Sequence, residues 1–299
     1  MIEGYQNIKD YLKSNFEGFK NVVINELIAY YGEKYKDEIV SRINDTNFIF
    51  YINPKKRRIK RSHSDRRKEN FDEIKENYRK TRLEAKKNGE LFNLYNKKSA
   101  AARFVCPYNE TDFTSMYNNG EKEIEKTIFI PLYFVNDEGI IHEMIHAVMS
   151  SPLGLIESPD YKILKYKIGL ITSGDKGEDL LEECMTQIEA LIIYEIIKSK
   201  GISFIDEFYP NKSFECKYDL FIPSVAKFYK DFKEDLVDAR ITLNLRRFIN
   251  KIGKENYCKL IQLLREFEEN YFDCDRGIFR ELISKVINQM GDNKKLVLK

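Results

Sequence analysis

His142-Glu143-Met144-Ile145-His146 is the stretch that most narrows what this chain can become. Two histidines four apart on a helix lie on one face, one turn above the other, so both imidazoles can hold corners of a tetrahedral metal ion. Glu143, rotated off that face, is left to take a proton from a metal-bound water. The chain has only three histidines, so chance is a weak account of two falling at this spacing around a glutamate. The neighbouring residues keep a helical period. Ile141, Met144, Ile145 and Val148 form an apolar stripe, with His142 and His146 along its border in a position expected to be half-buried. Asn136 or Asp137 is placed to cap this helix, and Ser150-Ser151-Pro152-Leu153-Gly154 to end it.

A catalytic zinc site takes a third protein ligand, and no histidine follows the motif. Residues 177–191 read as a second helix, beginning after the turn Ser173-Gly174-Asp175-Lys176 and containing Glu182-Glu183-Cys184-Met185-Thr186-Gln187. Here the chain resembles the gluzincin metallopeptidases, HExxH zinc enzymes whose third ligand is a glutamate on a later helix in a pattern like Asn-Glu-Gly-x-Thr-Glu. Glu183 and Thr186 match that pattern. Glu182, Cys184 and Gln187 depart from it, which keeps Glu182 as the alternative ligand. The resemblance covers residues 127–195. It implies a zincin-like fold and one Zn2+ held by His142, His146 and Glu183. It further implies Glu143 as general base and a peptide or protein as substrate, bound in a cleft between an N-terminal lobe (1–155) and a C-terminal lobe (156–299).

Asp179 and Gln187 share the helical face of Glu183, one turn to either side. Either can accept the second ring N–H of a ligand histidine, or simply be solvated. Tyr194 stands about 16 Å along the axis from Glu183, too far to touch the same ion. Cys184 points about 100° away from Glu183 and reads as a small core residue.

The 299 residues can bury a substantial core, and a content of 42% hydrophobic and 33% charged residues describes a soluble globular chain. A net charge of +2 implies no chain-wide electrostatic partner. No apolar run is long enough to span a membrane, residues 190–194 being cut short by Glu195. The first residues lack the form of a secretory leader. The five cysteines are odd in number and contain no CxxC pair, so they read as reduced thiols. Both features give a cytoplasmic expectation, although a chain exported without a leader would look the same.

Apolar periodicity places two or three helices over residues 5–44 and a buried strand at 47–52. A charged helix follows at about 66–88, with a further helix at 91–104. A strand at 127–135 leads into the motif helix, the second metal helix runs to about Lys200, and helices fill 223–290 with breaks near Gly253, 273–277 and Gly291. The expected class is α+β and predominantly helical, with a small sheet in the N-terminal half and an all-helical C-terminal lobe. Pro131 cannot donate to a ladder, so the strand at 127–135 is expected on a sheet edge. There it could align an extended peptide over the metal by strand addition, or serve as a plain structural edge.

Residues 55–68 carry nine Lys or Arg against one Asp. With no interleaved aromatics for base stacking they read as a solvated loop that includes His63, with nucleic acid or an acidic partner as the alternative. A zinc-dependent peptidase is thus the leading expectation. Its rivals are a catalytically inactive zincin-like regulator that binds nucleic acid or an acidic partner through 55–68, and a metal site that only stabilises the fold.

Overall fold

The computed structural model describes residues 2–51, 103–105, 126–131, 136–151, 154–157, 162–165, 168–171, 176–206, 221–270 and 276–297. The basic run at 55–68 and the charged helix read at 66–88 lie outside them. Within them the chain is mostly helical. Helix α1 (Ile2–Tyr31) buries Phe16, Phe19, Val23, Ile24, Leu27, Ile28 and Tyr31, a stripe with the helical period. It stops at Gly32, whose φ of 110° disfavours any residue with a Cβ. A 3-10 turn (Glu33–Tyr35) then leads into α2 (Lys36–Asn44), in agreement with the two or three helices read from the pattern.

Three strands follow: β1 (Thr46–Tyr51), β2 (Arg103–Val105) and β3 (Lys126–Pro131). Their order is β1-β3-β2, with β1 parallel and β2 antiparallel to β3. The strand before the motif helix is therefore central, which corrects the edge position expected from Pro131. Register explains the difference. Strand β2 covers only residues 127–129 of β3, and Pro131 stands at the last pair of the β1 ladder, opposite Tyr51. Its missing N–H thus falls at the end of the strand. The substrate-aligning role conceived for that edge goes with it, since among the described residues the sheet edges are β1 and β2. A second correction concerns the helix read at 91–104. Its last residues belong to β2, where Phe104 pairs with Ile128.

Helix α3 (Asp137–Met149) carries the motif. Of the two candidate caps Asn136 takes the role, its side chain accepting from the Gly139 N–H at 2.9 Å. Extended Ser150 ends the helix. Ile140, Ile141, Met144, Ile145, Ala147, Val148 and Met149 are all buried, so the helix is apolar almost all round and runs through the interior. It packs on α2, β2, β3 and the next helix, α4. Both histidines are consequently buried, where the stripe pattern alone gave a half-buried border. Arg42 secures the far end, donating to the carbonyls of Val148 at 2.6 Å and Ile241 at 2.9 Å, in the last turns of two helices.

A hairpin, β4 (Gly154–Glu157) and β5 (Lys162–Lys165), follows α3. The remaining helices are α4 (Lys176–Ser199), α5 (Ile222–Ile241), α6 (Leu245–Ile252), α7 (Lys254–Glu269) and α8 (Arg276–Val297). Gly253, at φ 89°, separates α6 from α7 as expected. Residues 242–244 form a break that the pattern missed, with Leu243 at φ 58°. Gly291, read as a break, lies inside α8; one interior glycine costs a helix only about 1 kcal/mol, too little to end it.

Two apolar clusters result. One joins α1, α2, β3 and α3, and the other joins α5, α6, α7 and α8. Helix α4 feeds both, giving Ala190, Ile193 and Ile197 to the first and Leu180, Leu181, Cys184, Met185 and Ile188 to the second. No helix among the described residues is long and apolar enough to cross a membrane.

Candidate metal centre

Helices α3 and α4 lie side by side, and each offers polar residues one turn apart to the other. From α3 come His142 and His146; from α4 come Glu183 and Gln187. The Nε2 atoms of the two histidines are 3.0 Å apart. Glu183 faces both, with Oε2 at 3.2 Å from His142 Nε2 and Oε1 at 3.3 Å from His146 Nε2. Ligands about 2.0–2.1 Å from a tetrahedral ion stand about 3.3 Å from one another, so these separations fit three corners of such a shell. The three residues form a group that could hold a metal ion.

The second nitrogen of His142 defines the chemistry further. Its Nδ1 lies 2.8 Å from Oε1 of Gln187. An amide oxygen only accepts, so Nδ1 is the donor in this pair and Nε2 is the nitrogen left for an ion. Nε2 turns towards the Glu183 carboxylate and the other imidazole, an approach that repels unless a cation or a proton sits among the three. Of the two residues expected to hold a ligand histidine's second nitrogen, Gln187 does so for His142.

The electrostatics follow from this crowding. Burial disfavours a charge on His146, but the Glu183 carboxylate outweighs burial and raises the imidazole's pKa above its ordinary value. Burial likewise works against the Glu183 anion, yet the charges and hydrogen bonds of His146 and His142 hold its carboxyl well below the usual carboxylate range. The histidine side chains are 7% and 9% exposed, whereas that of Glu183 is 35% exposed. The imidazoles are therefore walled in, while the Glu183 side chain is partly exposed. Glu143 sits half-buried on the helical turn between the two histidines.

Glu182, the alternative ligand, is fully buried and engaged elsewhere. Its carboxylate accepts from Arg240 Nε at 2.9 and 3.1 Å and from the backbone N–H of Leu170 at 3.0 Å. Gly169 permits that approach, because a Cβ there would stand 2.2 Å from Glu182 Oε2. Arg240 also donates to Thr186 Oγ1 at 2.9 Å and to Glu189 Oε2 at 2.7 Å, and Glu189 accepts from the hydroxyls of Tyr31 and Tyr229, each at 2.8 Å. Sequence reasoning missed this network. Its trace was the placing of Glu182, Thr186 and Glu189 among the apolar residues of α4, on a face that a solvated helix would turn to water.

The start of α3 is clipped to the segment after α4. The Asp137 carboxylate accepts from the N–H groups of Phe204 and Ile205, both at 2.7 Å, while Asp206 accepts from the Asp137 N–H at 3.1 Å and from the Tyr194 hydroxyl at 2.7 Å. Tyr194 is thus occupied away from the histidines, and Cys184 is buried in the second apolar cluster. Comparison of the chain with protein-family models, with curated proteins and with solved structures finds no match.

Proposed function

We propose that this chain is a zinc-dependent hydrolase acting on peptide bonds, with His142, His146 and Glu183 as ligands of one Zn2+ and Glu143 as the general base. The convergence of three donor atoms from two helices carries this reading. Two imidazoles and one carboxylate are a catalytic zinc set that keeps a further position open. A fold-stabilising site would instead be closed by a fourth protein ligand; the group formed by the described residues has three. The ion supplies Lewis acidity towards water and a peptide carbonyl. Glu143 stands next in sequence to a ligand without sharing its face, takes a proton from the attacking water and later passes it to the leaving amine. Peptide as the substrate class, and a cleft between the lobes 1–155 and 156–299, rest on the resemblance to gluzincins.

Elemental analysis and peptide hydrolysis of three proteins test the assignment. The parent chain is expected to hold one zinc per molecule. Glu143→Gln should keep that zinc and lose about 10²- to 10⁴-fold in turnover, and Glu183→Ala should lose zinc. Undiminished turnover in the first variant would strike Glu143 from the base's role. Undiminished zinc in the second would strike Glu183 from the ligand set.

A further inference from the structure

The hydrogen bond between His142 and Gln187 does not end at Gln187. The Nε2 of this amide donates to Oε1 of Glu138, on the first turn of α3. Glu138 and His142 are four apart on one helix, as Glu183 and Gln187 are on the other, so two helical steps face each other and close a chain of four polar side chains. We propose that Glu138 and Gln187 form a positioning relay that fixes the tautomer and aim of His142, and through them the metal affinity of the site. The proposal rests on the metal-site reading above and extends it.

Each link admits one arrangement of protons. An ionised carboxylate only accepts, so Glu138 claims the NH2 end of the Gln187 amide. The amide oxygen is thereby left to His142, which must present Nδ1–H to it. Nε2 is then the nitrogen left to bind the metal, and it faces Glu183 and His146. With the amide reversed, its NH2 would meet Nδ1, the imidazole proton would move to Nε2, and the ligand atom would be blocked. An amide's two ends are nearly alike in shape, so packing alone does not choose between these states. The Glu138 carboxylate does. The same logic accounts for glutamine at 187: a carboxylate there would accept from His142 equally well but would stand against Glu138 with no proton to share.

Chelator competition for Zn2+ on the full chain, with the absorption spectrum of the Co2+-loaded protein as a report on ligand geometry, tests the relay without an activity assay. Gln187→Ala and Glu138→Ala are each expected to weaken Zn2+ binding by about 10- to 100-fold. Gln187→Glu, close in size, should weaken it too, because two carboxylates then meet. Combining Gln187→Glu with Glu138→Gln reverses the donor and acceptor roles while keeping every bond. That double variant is expected to recover parent affinity and the parent Co2+ spectrum, which simple packing roles would not produce. Parent-like affinity in the Gln187→Glu single variant, or losses that multiply in the double variant, would overturn the relay and leave the zinc site standing. A parent chain that binds neither ion would overturn both.

Discussion

Arg240 is a full charge with no surface in contact with solvent. Burial works against that charge, but the Glu182 and Glu189 carboxylates outweigh it and hold the guanidinium protonated. Such a group adds little over a well-packed apolar one, yet removing one partner strands the others. Arg240→Met should lower the free energy of unfolding by about 3–5 kcal/mol, read from urea denaturation. A change below about 1 kcal/mol would mean that the two glutamates find other partners. The contrast with the metal ligands shows what a sequence exposes at this scale. His142 and His146 were readable because one helical turn brings them together, a rule that needs only local order. Glu183 was found through a resemblance, since a separation of 41 residues has no rule of its own. Arg240 stands 58 residues from Glu182 and 51 from Glu189, and nothing in the α5 pattern, where it is one basic residue beside three lysines, marks it as the buried one.

At the scale of elements, the clip at Asp137 fixes where α3 begins, and so where its histidines fall. Burial, with the nearby Asp206 charge, pushes this carboxyl from 3.8 up to about 6, against the pull of the Phe204 and Ile205 N–H groups. The folded chain therefore holds the Asp137 proton more tightly than the unfolded one. The stabilisation from protonation is complete below pH 3.8 and is lost as pH rises through about 6. It amounts to roughly 3 kcal/mol at most. Asp137→Asn should flatten the dependence of stability on pH between those limits, relative to the parent chain, in a series of urea midpoints. Helices and their stops were largely evident in the sequence because periodicity and glycine act within a few residues, as at Gly253. The place of β3 was not. Proline at 131 excludes a ladder bond, but whether that bond lies inside the ladder depends on how far β2 extends, and no local pattern encodes it.

For the molecule as a whole, an ion bound only by the folded state shifts the unfolding equilibrium by its occupancy. At a free Zn2+ concentration about 100 times the dissociation constant, the gain is about 2.7 kcal/mol. Added Zn2+ should therefore raise the thermal midpoint, a chelator should reverse the rise, and Glu183→Ala should respond to neither. Equal midpoints with and without the ion would count against a folded-state site. The gain would not stay local, because α4 delivers Glu183 to one neighbour, Glu182 and Glu189 to another, and apolar side chains to both clusters. Ile188 and Ala190 already belong to different clusters. One residue inserted between them would rotate everything beyond by about 100°, swinging Ile193 and Ile197 out of their seats while Glu183 stayed put. Spacing along this one rod is constrained as strictly as any side chain on it, and relatives that tolerate gaps elsewhere should show none here.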